Sequence, residues 1–157
     1  MSRRQEMQRI IHHYRRVTGS TEVDMHEVAL WAVKRGMALP KPIEPLDRLA
    51  KEFSQAAREE IRYDDSTGKP YRANHAIAET RDGRQLVLWV DIDEAPRRHM
   101  QKSLNQRREQ MVGDAVQLTL DAAHWNRIHP EESPIQTELD FTYDVQWRLN
   151  TPEEKTG

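Results

Sequence analysis

Cysteine is absent from this 157-residue chain, which excludes disulfides and thiolate metal sites and is typical of a cytosolic protein. No segment approaches the ~18 apolar residues of a membrane-spanning helix, and Met1–Arg4 lack the apolar core of a signal peptide. Phosphate-binding glycine loops, dinucleotide fingerprints and the Gly-x-Ser-x-Gly elbow of hydrolases are missing as well. These absences predict a cytoplasmic protein with no membrane partner, and the sequence indicates no cofactor, no metal site and no catalytic residue.

Charge is almost balanced overall, at −2, but it is unevenly distributed. Residues 1–17 hold five basic side chains and one acidic one, and residues 97–110 repeat that ratio, so each segment has a balance of 5 − 1 = +4. Residues 131–157 hold two basic and seven acidic side chains, a balance of 2 − 7 = −5. This layout fits a basic face on a near-neutral protein. It equally fits solvated helices whose arginines pair with acids elsewhere in the chain.

The first third of the chain predicts three helices, which together make a helical cluster over residues 3–62. Apolar residues recur at spacings of three and four in residues 3–17, 24–35 and 45–62. Prolines between 40 and 45 interrupt the helical pattern, and Pro45 suits the first turn of the third helix. That third segment has the clearest amphipathic pattern, formed by Leu46, Leu49, Ala50, Phe53, Ala57 and Ile61.

A β-hairpin is predicted over residues 71–92, with Asp82-Gly83 at its tip. A long helix is predicted over residues 94–126, in which Gly113 indicates a bend or a close approach. Its apolar stripe comprises Met100, Leu104, Met111, Ala115, Leu118, Ala122 and Trp125. A stripe of that length favours a partner helix, and therefore a homo-oligomer formed through residues 94–126.

The C-terminal region alternates strictly, since apolar residues and Thr137 occupy the odd positions between 135 and 147. Such alternation predicts a strand over residues 134–147 that packs against the hairpin. Residues 150–157 are predicted to be a disordered tail. The whole is predicted to be a single α+β domain over residues 1–149, with N-terminal helices, a small antiparallel sheet and one long helix in a winged-helix-like arrangement.

One set of motifs resembles a known family. The string Arg107-Arg108-Glu109-Gln110-Met111-Val112-Gly113-Asp114 is followed by Gln117-Leu118, Asp121 and Asn126, and then by Pro134-Ile135-Gln136 and Asp140-Phe141-Thr142-Tyr143-Asp144-Val145. This pattern resembles a family of small uncharacterised bacterial and prophage proteins, and the likeness covers about residues 24–145. The resemblance implies no activity, cofactor or site.

The order of elements favours non-catalytic binding of duplex DNA, with a regulatory role. In that interpretation, helix 45–62 enters the major groove, helix 24–35 is the helix that supports it, and the hairpin is the wing. Against it, Glu52, Glu59 and Glu60 on the same helix would repel phosphate. The side chains predicted to contact nucleic acid are Arg48, Lys51, Gln55, Arg58, Arg62, Arg72, Arg81 and Arg84.

Two alternatives remain open at this stage. The first is a protein–protein adaptor or homo-oligomer that does not bind nucleic acid. The second is a metal-dependent nuclease built on Asp91, Asp93 and Asp114, because acids at the end of a strand can hold a catalytic cation. Asp93 has a simpler role as the cap of the long helix.

A separate polar group lies on one face of the long helix and consists of Asp114, Gln117, Asp121 and His124. Its carboxylates and imidazole could hold a divalent cation with help from elsewhere. A solvated stripe is the plainer interpretation.

Overall fold

The structure, a computed structural model, describes residues 1–151 and confirms an α+β architecture. Its elements are α1 (Arg3–Thr18), α2 (Met25–Lys34), α3 (Pro45–Glu59), β1 (Ile61–Tyr63), β2 (Pro70–Arg72), β3 (Asn74–Arg81), β4 (Arg84–Asp91), α4 (Arg97–Ile128) and α5 (Thr142–Asn150). β1 pairs with β2 and β3 with β4, both antiparallel. Within residues 1–151, no helix is both long and apolar enough to cross a membrane. The chain divides into two compact units, Met1–Lys51 and Glu52–Gly157.

The first unit is built on α1 and α2, both of which have well-formed caps. Ser2 accepts a hydrogen bond from the backbone of Gln5, and the Gln5 side chain accepts one from the backbone of Ser2, which completes a capping box. Asp24 caps α2 by accepting from the backbone N–H of His26 at 2.8 Å. Val28 and Ala32, one turn apart on α2, are buried between the two helices. The sequence patterns for residues 3–17 and 24–35 therefore predicted these helices correctly.

The third helix ends at Glu59 rather than near residue 62, because the chain turns there into the short strand β1. The loop between β1 and β2 is held by the Asp64 carboxylate, which accepts from the backbone and hydroxyl of Ser66 at 2.9 and 2.7 Å. These bonds lower the pKa of Asp64. The apolar face of α3 is uncovered in the described residues, where Phe53 remains 69% exposed.

The hairpin forms as predicted, and β3 and β4 pair in full register from Asn74↔Asp91 to Arg81↔Arg84. Asp82 and Gly83 make its two-residue turn, both with positive φ, as a primed turn requires. Ala73 and Ile77 are buried, and together with Val28 and Ala32 they are the buried apolar residues of the described chain.

The long helix packs on the outer edge of β3 and bonds three of its backbone groups. The Ser103 hydroxyl, fully buried, donates to the carbonyl of Ala76 at 3.2 Å. The amide of Gln106 both accepts from and donates to the backbone of Ala78, each at 3.1 Å. An open strand edge can pair with a strand of another molecule. The side chains of α4 form hydrogen bonds with backbone groups that would otherwise be available for such pairing.

The long helix begins and ends slightly later than predicted, at Arg97 and Ile128 rather than 94 and 126. The prediction that Asp93 caps it is wrong, because Pro96 holds the N-cap position without a side-chain bond. Asp93 instead accepts hydrogen bonds from Arg62 and Tyr71. A Cβ added to Gly113 would meet nothing within 4 Å, so the close approach expected there does not occur within residues 1–151.

The predicted C-terminal strand over residues 134–147 is wrong. Residues 133–141 have no regular structure, and Thr142–Asn150 form the helix α5. The segment is instead tied to α4, because the side chain of Asn126 exchanges two hydrogen bonds with the backbone of Ile135, at 2.8 and 3.0 Å. These local bonds use backbone groups that a strand ladder would need. Of the predicted tail, Asn150 ends α5, whereas residues 152–157 lie outside the described residues.

Candidate functional site

A cleft of about 350 Å³ in the second unit is the candidate site. Its floor is one face of the hairpin, where Trp89 pairs with Ala76 and Val87 with Ala78. Successive residues of a strand point to opposite faces, so these four side chains share one face. The two alanines leave space above the strand, and the indole of Trp89 provides a flat apolar surface beside it.

Three arginines line this cleft, and each comes from a different element. Arg58 lies near the end of α3, Arg72 ends β2, and Arg107 lies on α4. No Asp or Glu is among the described residues that line the cleft. None of the three arginines makes an ion pair with any carboxylate of the described chain. Cations without a counter-ion in a concave site attract an anion, and the guanidinium fork suits a phosphate in particular.

The cleft is supported by one cation–π contact and by hydrogen bonds to the backbone. The Arg58 guanidinium carbon lies 5.5 Å from the centroid of the Trp89 ring, which is within the range of a cation–π contact. The amide of Asn74 donates to the carbonyl of Ala57 at 3.1 Å and so links the hairpin to α3. His75 is buried, and its Nε2 lies 3.0 Å from the carbonyl oxygen of Arg72. The backbone that presents Arg58 and Arg72 is therefore held in place.

The structure brings two of the eight predicted nucleic-acid contacts, Arg58 and Arg72, into the cleft and leaves six outside it. Arg84 flanks the hairpin turn, and Arg81 beside it pairs with Glu79 at 3.2 Å. The amide of Gln55 donates to Glu59 at 2.6 Å, which places a carboxylate beside the side chain predicted to read a base. Arg48 and Lys51 belong to the first unit.

Arg62 is engaged by acids and is not available to an external anion. Its two terminal nitrogens donate to both oxygens of Asp91 at 2.8 Å, and one of them also donates to Asp93 at 2.7 Å. These bonds raise the pKa of Arg62 above its usual value, and they hold the pKa of Asp91 below its usual value. Arg62 is thus an internal ion-pair residue that joins β1 to the end of β4.

The ion pairs between Arg62 and the two aspartates argue against the metal-dependent nuclease alternative. Asp91 and Asp93 both direct their carboxylates at Arg62, so a positive charge already occupies the position a cation would take. Across residues 1–151, no group of three or more His, Asp or Glu residues is arranged to hold a metal ion. On the polar stripe of α4, Gln117 donates to Asp121 at 2.8 Å, as expected for a solvated helix face.

Sequence reasoning did not single out Trp89 or Arg107 as site residues. Trp89 lies in the continuous apolar run of residues 86–90, and Arg107 is one of the five basic residues of segment 97–110. The alternation along β4 places Trp89 and Val87 on one face, which was the available signal. That Arg107 approaches this face depends on the docking of α4, which the sequence does not specify.

Comparison with protein-family models, curated proteins and solved structures finds no match for this chain. The resemblance to a bacterial and prophage family and the winged-helix likeness therefore stay predictions.

Proposed function

We propose that this protein is a non-catalytic nucleic-acid-binding protein in which the cationic cleft takes the phosphate backbone of duplex DNA. One observation carries the proposal. Arg58, Arg72 and Arg107 converge from three elements on a concave surface that lacks carboxylates, whereas Arg62 and Arg81 are paired internally. Among residues 1–151, these three arginines have no counter-ion and lie at one place, and phosphate is the polyanion whose geometry a guanidinium matches best.

The hairpin tip supports the same function. Arg84 is exposed beside the turn that joins β3 to β4. A hairpin that carries a cation beside a basic cleft fits the role of a wing, which contacts the backbone next to the main site. Gln55 and Arg62 are left out of the proposed contacts, since Glu59 and Asp91 engage them.

The test is fluorescence anisotropy of a labelled random-sequence duplex, titrated with protein over a series of salt concentrations. We expect binding that weakens steeply with salt, because counterions are released from the DNA. Replacing Arg58, Arg72 and Arg107 together by Ala should reduce the slope of log K against log salt by about 3, roughly one for each lost phosphate contact.

Arg127→Ala is the matched control, since it removes the same side chain from the same helix about 30 Å from Arg107. Its affinity and salt slope should equal those of the wild type. The proposal would be overturned by a wild-type protein that binds no duplex at low salt, or by equal losses in Arg107→Ala and Arg127→Ala.

A further inference from the structure

The second half of α4 is apolar around most of its circumference. Between residues 111 and 125 its polar side chains are confined to Thr119 and to the stripe of Asp114, Gln117, Asp121 and His124. A helix with so narrow a polar face is normally enclosed by neighbours. Here Met111 is 60% exposed, Val116 53% and Leu120 59%. The described chain therefore leaves uncovered a helix whose composition is that of a buried one.

One stripe of α4 has the spacing of a helix-pairing seam. Leu104, Met111, Leu118 and Trp125 recur every seven residues, and Ala115 and Ala122 fall between the last three. This alternation of three and four residues is the pattern by which two helices pack side by side. At 100° per residue the stripe lies away from Ser103 and Gln106, which contact the hairpin, so docking on β3 leaves the stripe free.

The distribution of charge along α4 indicates which partner covers the stripe and in which direction the partner helix runs. Arg97 and Arg98 are exposed at the start of α4, in the segment with a balance of +4. Glu131 and Glu132 follow its end, about 48 Å away for a 32-residue helix. Within residues 1–151, no ion pair joins residues 97–110 to residues 131–144. A surface that carries a basic end and an acidic end is complementary to a second copy of itself turned through a two-fold axis.

We propose that two copies of this chain associate through the α4 seam, with the two helices antiparallel. Parallel pairing would set the two +4 segments side by side, whereas antiparallel pairing places each against the acidic end of the other copy. This proposal does not depend on nucleic-acid binding, because it rests on the exposed stripe and the segregated charge of α4; Arg107 of the cleft lies three residues after Leu104 and borders the seam.

The seam also fixes a register, centred on residue 113. In that register Leu104 of one copy lies opposite Ala122 of the other, and Met111 lies opposite Ala115. These two large side chains then each meet an alanine, which allows close approach of the two helices around the centre, whereas Leu118 lies opposite Arg108. The centre of the register coincides with the middle of α4, so both helices overlap over their full length.

The first test is sedimentation equilibrium of the full chain at micromolar concentration. A dimer is expected, and a monomer would overturn the proposal. The variant Met111→Glu/Ala115→Glu places two carboxylates opposite each other in each half of the seam and should raise the dissociation constant by on the order of 100-fold. The matched control Gln117→Glu introduces the same side chain on the polar stripe and should leave the dissociation constant unchanged.

A second measurement keeps the proposal falsifiable if the seam variant does not fold. The chain has no cysteine, so His124→Cys provides a single site on the polar stripe for a nitroxide label. Antiparallel pairing centred on residue 113 separates the two labels by about 33 Å along the helix axis. Parallel pairing would bring them to about 10 Å, and that result would overturn the proposed arrangement. A larger oligomer that lacks the 33 Å distance would also overturn it.

Charge reversal tests whether a second copy of this chain is what binds the α4 seam. Arg97→Glu/Arg98→Glu should weaken the dimer, and adding Glu131→Arg/Glu132→Arg should restore it, because the two ends exchange sign. Failure of the second pair to restore dimerisation would show that these segments do not face each other.

Discussion

Arg62 and Asp91 form a two-point ion pair, in which each terminal nitrogen of the guanidinium donates to a different carboxylate oxygen at 2.8 Å. The pair joins the short strand β1 to the end of β4, two elements that belong to separate sheets. Asp93 adds a third bond at 2.7 Å, so the guanidinium is held from two sides. This geometry gives Arg62 a structural role and separates it from the arginines of the cleft.

Replacing Arg62 should therefore destabilise the fold more than replacing Arg84, an exposed arginine beside the hairpin turn. Arg62→Ala leaves Asp91 and Asp93 facing each other without a cation, and Arg62→Lys loses the two-point geometry. We expect both variants to have lower urea midpoints than the wild type, and Arg84→Ala to match it. Equal midpoints for Arg62→Ala and Arg84→Ala would contradict the structural role.

The free energy of unfolding should decrease at low pH because the Asp91 carboxylate becomes protonated. Arg62 holds the folded-state pKa of Asp91 below its unfolded value, so this carboxylate contributes stability above the unfolded pKa, about 3.9. That contribution is lost as the pH falls from about 4 through the lowered folded pKa. Asp91→Asn should be less stable at pH 7 and should lose less between pH 5 and pH 3, as measured by urea unfolding at each pH. The control Asp65→Asn, at an exposed loop carboxylate, should follow the wild-type curve.

The small buried cluster of the hairpin depends on Ile77, which is 3% exposed. Ile77→Ala should cost about 2–5 kcal/mol of unfolding free energy, because it removes buried methyl groups and leaves a cavity. Val87→Ala changes an aliphatic residue on the paired strand that is 61% exposed, and its cost should stay within about 0.5 kcal/mol. Chemical denaturation measures both, and similar costs would argue against a core centred on Ile77.

The contact between Arg58 and Trp89 should be detectable in nucleic-acid binding. If the indole holds the guanidinium in position, Trp89→Leu weakens DNA binding only while Arg58 is present. A double-mutant cycle with Arg58→Ala and Trp89→Leu should give a coupling energy of about 0.5–1 kcal/mol. Trp147→Leu, at an exposed tryptophan of α5, is the control and should show no coupling. Additive effects of Arg58→Ala and Trp89→Leu would mean that the ring does not position Arg58.

The segment that follows α4 should be released by Asn126→Ala. This change removes both hydrogen bonds to Ile135, together about 1–3 kcal/mol of local stability. Hydrogen exchange at the Ile135 amide should accelerate, with Asn105→Ala as the control on the same helix. An unchanged exchange rate would show that other contacts hold the segment.

The sequence predicted those elements whose signals are local. The spacing of apolar residues by three and four and the turn Asp82-Gly83 are signals within a few neighbouring residues, so α1, α2 and the hairpin were predicted correctly. The C-terminal strand was not, because alternating residues specify a strand only where a partner strand is available. The backbone of Ile135 instead forms hydrogen bonds with the side chain of Asn126.

The features of the candidate site likewise fall into those that the local sequence determined and those that depended on packing. The sequence by itself determined that the chain has no cysteine, that its charge is segregated, and that Arg58 and Arg72 lie near a hairpin. Only the tertiary structure decided that Arg62 is held by Asp91, that Arg107 lines the same cleft as Trp89, and that the α4 stripe is uncovered by the described residues. The physical reason is that a cation's role depends on the nearest carboxylate in space, and contacts across tens of residues are fixed by packing rather than by local sequence.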